Sequence, residues 1–363
     1  MRVALIHDWL TGLRGGEKVL EALCEIYPSA TLFTLVHIPG STSPIIESLP
    51  IRTAFTQRLP GVRKHYRWYL PVYPWAIESL DFREYDLLIS SSHCVAKGVI
   101  PPPDAIHFCY CHTPMRYIWD RFTDYFGSGF KSRFLYGPFA HYLRKWDVAS
   151  AQRVHHFIAN SRYVADRIHN YYGREPDAVI HPPVDTDYFV PSTDAPHDYC
   201  LVVSALAPYK RLDVAIDCFN QRSEPLIIVG TGPEEAKLRG RAGPTVKFLG
   251  RVGNEELRSL YQHARATLLP GVEDFGIVPL ESQACGRPVV ALGEGGATET
   301  VKDGETGVLY REPSSQALSS AIDKISSLRF NTSDLRHWAK DFSRERFKAN
   351  IKDFIEGNLN RSE

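Results

Sequence analysis

The sequence lacks a charge bias. Lys plus Arg and Asp plus Glu both number 42 over 363 residues, so the formal net charge is zero. That excludes a global electrostatic footprint for nucleic acid, and no nucleic-acid partner is expected. It also lacks any apolar run of 18 residues, so no segment is expected to span a membrane. The opening Met1-Arg-Val-Ala-Leu-Ile-His7 reads as a short strand and not as a secretory signal, having neither a long apolar region nor a small-residue cleavage site. The seven cysteines follow no framework spacing and read as reduced cytosolic thiols. Cys109-Tyr-Cys111 is too tight for a zinc pair without a second pair. One absence is local: no Asp or Glu occurs between Glu47 and Glu78.

What is present is an alternation of short apolar runs and helix-period segments, the pattern of parallel βα units. In the first half, strands are predicted at Val3–Ile6, Leu87–Ser90, Ile106–Tyr110, His156–Ala159 and Ala178–Ile180. In the second half they are predicted at Cys200–Val203, Leu226–Val229, Val246–Leu249, Ala266–Leu269, Val289–Ala291 and Val308–Tyr310. Pro, Asp and Ser cluster from His181 to Asp198, which reads as a linker. The expected fold class is α/β, with two doubly wound, Rossmann-like domains facing across a cleft. Residues 1–185 would form the first domain and residues 186–341 the second. The helical segment from about 342 to 363 would pack back on the first.

Chemistry concentrates in Glu273-Asp-Phe-Gly-Ile-Val-Pro-Leu-Glu281, between a short apolar strand and a helix-like segment. Such a site can hold a sugar nucleotide without a metal. Glu273, in the loop, can accept hydrogen bonds from hexose hydroxyls. Glu281, about one turn into the helix, can take the ribose hydroxyls. The amides of Gly276, Ile277 and Val278 can face a diphosphate. A capping carboxylate plus a solvated helix charge would explain the spacing alone equally well. Lys210, after the first strand of the second half, opens a predicted helix, where a cation opposes the helix dipole unless an anion binds. Arg211 beside it is either a second phosphate contact or a solvated charge. Arg251 and Val252 follow Gly250 at a strand end, where backbone could read a base edge. Gly15 and Gly16 open the first helix and permit close backbone approach, as a plain tight turn also would. Gly232 fits a loop near the cleft, and turn chemistry explains it almost as well. His112 closes a first-domain strand before Thr-Pro, where a sugar hydroxyl or a structural hydrogen bond would suit it equally.

Taken together, Gly15-Gly16, Lys210, Phe248–Val252 and the Glu273…Glu281 pair resemble, in their order, the retaining glycosyltransferases of family 4, which have the GT-B fold. The resemblance covers nearly the whole chain. Ser204–Arg211, the Glu273 segment, His112-Thr-Pro-Met-Arg116 and His7-Asp-Trp-Leu-Thr11 look most like the bacterial mannosyltransferases of O-antigen and exopolysaccharide synthesis. What this implies is transfer of a hexose, mannose from GDP-mannose, onto a lipid-linked or polysaccharide acceptor. His112, Lys210 and Glu273 would carry the reaction. The donor would be bound by Gly15, Gly16, Lys210, Arg211, Gly232, Arg251, Val252, Glu273, Phe275, Gly276, Ile277, Val278 and Glu281. Many relatives carry an arginine where this chain has Ala205, and Arg211 is the residue that could replace that cation. No metal and no cofactor are expected, on the reading that the chain has no Asp-x-Asp motif. The rival functions are a GT-B epimerase or hydrolase of nucleotide sugars, and a non-catalytic nucleotide-sugar-binding protein.

The acid-free stretch holds Arg52, Arg58, Arg63, Lys64 and Arg67 among Phe55, Tyr66, Trp68, Tyr69, Tyr73 and Trp75. A second basic and aromatic segment runs from Phe130 to Trp146. Such surface can settle on an anionic membrane or line an acceptor cleft. With a lipid-linked acceptor implied, the expected location is cytoplasmic, peripheral on the inner face of the membrane.

Overall fold

The computed structural model describes residues 1–120, 122 and 129–360, with the side chains of 130–133 and 135 left aside. Two compact units divide the chain: Met1–Pro183 with Phe347–Glu363, and Val184–Arg346.

The first unit is a seven-stranded parallel sheet of β1 (Val3–His7), β2 (Thr31–Thr34), β3 (Ile51–Thr53), β4 (Leu87–Ser92), β5 (Ile106–Cys111), β6 (His156–Ala159) and β7 (Ala178–Val179). Its order is β3-β2-β1-β4-β5-β6-β7. All residues of β1 and β4 are buried, as expected for parallel strands covered on both faces. One face packs Ala4, Ile6 and Leu88 against Tyr66, Leu70, Tyr73 and Leu143. The other packs Leu5, Ile89 and Phe108 against Val19, Leu20 and Leu23 of the helix Gly15–Ile26. Phe347, Ile351 and Ile355, on the helix Arg344–Leu359, complete that second face.

The second unit is a six-stranded parallel sheet of β8 (Cys200–Val203), β9 (Leu226–Val229), β10 (Val246–Gly250), β11 (Ala266–Leu269), β12 (Val289–Leu292) and β13 (Gly307–Tyr310). Its order is β10-β9-β8-β11-β12-β13. Val202, Ile228 and Leu268 pack with Phe219, Leu318 and Ile322 from the helices Leu212–Arg222 and Ser315–Ser327.

Two differences from the sequence reading have physical causes. β2, Thr-Leu-Phe-Thr, and β3, Ile-Arg-Thr, were not predicted because polar residues interrupt them, so no continuous apolar run marks them. The segment read as a linker holds the boundary of the two units at Pro183; its first part is packed, whereas residues 193–198 are exposed. Val184 is fully buried, its amide donates to Phe342 O at 2.9 Å, and Phe189 lies in a core with Tyr199 and Tyr261. Proline there sets extended backbone without exposing it.

Candidate functional site

In each sheet the strand order reverses beside the first strand, between β1 and β4 and between β8 and β11. Loops leaving the carboxyl ends of these neighbours diverge and leave a crevice. Lys210 and Glu273 lie on such loops in the second unit, and His7 and His93 lie at such strand ends in the first, with His112 following β5.

In the second unit the loop after β8 carries Lys210 and the loop after β11 carries Glu273. Their side chains meet: Lys210 Nζ donates to Glu273 Oε1, and both are largely buried. Lys210 does not open a helix, as the sequence suggested. It ends a short 3-10 turn, Pro208–Lys210, and Arg211, at φ 52°, caps the helix Leu212–Arg222. The cation answers to Glu273 and not to a helix dipole. Arg211 reaches Asp213 in that helix's first turn, Nε to Oδ1 at 3.2 Å.

Glycines let these loops touch backbone to backbone. A Cβ on Gly271 would lie 2.6 Å from Tyr209 O, and one on Gly296 would lie 2.2 Å from Phe275 Cα. At Gly232 it would meet Leu206 O at 2.4 Å. Gly232 is thus required by the fit of its own loop against the Lys210 loop.

The helix Ile277–Ala284 follows, capped by Gly276 at φ 92°. The amides of Gly276, Ile277 and Val278 occupy its first turn, where helix N–H groups lack intrahelical partners. Glu281 is buried, and Tyr261 Oη donates to its Oε2 at 2.9 Å. Burial and this carboxylate push the Tyr261 phenol well above its ordinary pKa, so it stays a donor. The Phe275 ring is core: it packs with Val184, Leu280 and Phe342. Arg251 is exposed after β10, whereas Val252 packs beside Phe189 and Tyr261. The chain does contain one Asp-x-Asp, Asp185-Thr-Asp187, which the expectation of metal independence overlooked. Asp185 Oδ1 accepts the Tyr188 amide at 2.9 Å, a local turn bond.

In the first unit three histidines gather at the ends of β1, β4 and β5. His112 Nε2 lies 2.8 Å from Ser91 Oγ, and the same oxygen lies 3.1 Å from His7 Nδ1. His7 Nε2 stands 3.9 Å from Glu17 Oε1. The ring of His93 lies 5.8 Å from that of His7 and 6.4 Å from that of His112. Asp8 fixes the loop after β4. Its two oxygens accept the amides of His93, Cys94, Val95 and Ala96 at 2.6–3.0 Å. Burial, with His93 and His7 nearby, holds His112 well below its ordinary pKa. Gly16 packs on this group: a Cβ there would sit 3.7 Å from His112 Nε2 and His7 Cε1. Gly15 is the first residue of the helix that supplies Glu17. Sequence reading singled out His112 and missed His93, Ser91 and Glu17. Ser91 and His93 stand at the end of β4 beside the reversal and Glu17 in the first turn of the helix after β1, places that only the strand order brings together.

Comparison with known proteins accounts for both units. Residues 14–188 match the model of "Glycosyltransferase Family 4", and residues 186–346 match that of "Glycosyl transferases group 1". By both of its domains the chain belongs to the family 4 type of glycosyltransferases. Among solved structures, HepE of Anabaena in complex with UDP-glucose superposes with a TM-score of 0.75 at 20% identity, covering 98% of this chain and 100% of that one. This shows the GT-B fold. A D-inositol 3-phosphate glycosyltransferase of Acidothermus cellulolyticus is 34% identical over 194 residues, 45% of this chain and 43% of that protein. A GDP-mannose-dependent alpha-(1-6)-phosphatidylinositol monomannoside mannosyltransferase of Mycolicibacterium smegmatis is 33% identical over 219 residues, 50% and 56% respectively. The chain spans about half the length of these curated relatives.

Proposed function

We propose that this glycosyltransferase moves mannose from GDP-mannose, with retention of configuration and without a metal, onto a lipid-linked or polysaccharide acceptor at the inner face of a membrane. The observation that carries the reading is the Lys210–Glu273 pair on the loops after β8 and β11. A mostly buried cation one contact away from a carboxylate suits a donor that brings both a diphosphate and sugar hydroxyls. Lys210 would stabilise charge on the leaving diphosphate, with Arg211 and the amides of Gly276–Val278 assisting electrostatically. Glu273 would bind the hexose, Glu281 the ribose, and His112 the acceptor hydroxyl. The relative from Mycolicibacterium smegmatis, named for GDP-mannose, supports the donor; HepE, with UDP-glucose, names the competitor. Thermal shift against a panel of nucleotide sugars tests this. A ligand at about 100 times its Kd adds roughly 2.7 kcal/mol. A larger shift with a UDP- or ADP-sugar than with GDP-mannose overturns the donor. Activity lost in EDTA and restored by magnesium or manganese overturns metal independence.

A further inference from the structure

The first unit holds a chain of polar groups that donor binding does not use. Glu17, His7, Ser91 and His112 follow one another at 3.9, 3.1 and 2.8 Å. We propose that Glu17, His7 and Ser91 act in series as positioning residues, fixing His112 in the tautomer with hydrogen on Nε2 and a free lone pair on Nδ1. The inference rests on the reading above that His112 meets the acceptor hydroxyl.

The argument is a count of protons. Ser91 has one hydroxyl hydrogen and faces two ring nitrogens, so it donates to one ring and accepts from the other. Neutral histidine has one N–H, so setting either ring sets both. Glu17 breaks the tie. Burial pushes its carboxyl up, but His7 and the farther His93 bring it below its ordinary value, so it is ionised. Its Oε2 accepts the Arg14 amide at 2.9 Å, which holds the side chain in place. Its Oε1 lies too far from His7 Nε2 for a hydrogen bond, yet near enough for its charge to act.

If His7 carries hydrogen on Nε2, an N–H dipole points at the carboxylate. If it does not, a lone pair faces the carboxylate inside a fully buried ring environment, which is unfavourable. The first arrangement leaves His7 Nδ1 to accept from Ser91. Ser91 then accepts from His112 Nε2–H, and His112 Nδ1 is left as the hydrogen-bond acceptor. A carboxylate three groups away thereby decides which atom of His112 an incoming hydroxyl meets.

The test reads hydrogen positions directly. Long-range nitrogen–proton NMR on the full chain with labelled histidine, near pH 8, should show His112 protonated on Nε2. Glu17→Gln removes the charge, and Ser91→Ala removes the bridge; each should mix or reverse the His112 tautomer. With an acceptor in hand, both should lower kcat at least about tenfold and leave GDP affinity unchanged, since a wrong-tautomer histidine costs up to ~10⁴ in the best-studied triad. A His112 hydrogen on Nδ1 in the unaltered protein overturns the inference, including the case in which His7 is doubly protonated. So does a tautomer that neither variant moves. Because the tautomer is read without turnover, it is separate from the proposed function. Full-rate transfer by His112→Ala would overturn the role given to His112 instead.

Discussion

At the scale of single residues, the proposed function assigns binding and chemistry to different side chains. Lys210→Ala should lower kcat by about 10²–10³, equivalent to roughly 2.7–4 kcal/mol, as for other groups that stabilise developing charge. Steady-state kinetics with saturating donor checks it. Glu281→Ala should weaken GDP binding itself, and Glu273→Ala should impair transfer more than GDP binding. Titration calorimetry on both variants decides, and equal losses of affinity would sink the division. Tyr261→Phe removes the bond that aims Glu281 and should cost GDP affinity by about 1.5–3 kcal/mol, the range for hydrogen bonds to charged groups. Lys210 and Glu273 were singled out in the sequence by their places in loops after apolar strands, Lys210 on a helix-start reading that its pair with Glu273 replaces. Their contact was not, because it depends on β11 lying beside β8. Nor was the inward turn of Phe275, since an aromatic in a loop carries no mark of which way it faces.

At the scale of elements, a buried polar network joins the helices of the first unit. Lys97 Nζ donates to Asp147 Oδ1 at 2.6 Å and lies near Ser150 Oγ at 2.8 Å, with both charges buried. Trp119 and Tyr172 donate to Asp147 Oδ2. Lys97→Met leaves a buried carboxylate without its cation and should destabilise the first unit by about 3–5 kcal/mol. Denaturant unfolding followed by tryptophan fluorescence reads it, since Trp119 and Trp146 flank the pair. His107 gives the pH counterpart. Burial, with His155 next and Arg153 and Lys97 beyond, pushes it down to about 3. The unfolded chain then binds a proton that the folded chain refuses. Stability should therefore be intact above about pH 6.5 and fall as pH drops toward 3, by up to about 1.4 kcal/mol per pH unit from this group. Unfolding curves across that window should flatten in His107→Gln. The long strands of both sheets were legible as apolar runs. β2 and β3 were not, because Thr-Leu-Phe-Thr and Ile-Arg-Thr carry polar residues within the strand and read as no continuous apolar run.

At the scale of the molecule, the two basic and aromatic segments, some sixty residues apart in sequence, pack on one core: Tyr66, Leu70 and Tyr73 share a cluster with Ala140 and Leu143. In the acid-free segment three of the six aromatics, Tyr66, Tyr69 and Tyr73, are core or half-buried. Trp68 and Trp75 are 75% and 68% exposed, among five exposed cations. The side chains of 130–133 and 135 lie outside the described residues, while Phe134, Tyr136 and Tyr142 are exposed. Changing Arg63, Lys64 and Arg67 together to Glu should release the protein from anionic liposomes, and salt should do the same, since exposed charges are screened over about 8 Å at physiological ionic strength. Co-sedimentation that survives the triple change at low salt would remove this surface as the membrane contact. Among the described residues no helix is long and apolar enough to cross a bilayer. The return of the helix Arg344–Leu359 to the first sheet has a consequence for how the protein is made. Synthesis proceeds from the N-terminus at about 5–20 residues per second. The face holding Phe108 and Tyr110 emerges before the second unit, and its cover, Phe347 with Phe354, emerges only after that unit has been made. For tens of seconds on the ribosome, the domain that begins first must wait, apolar side outward, for the one that begins second.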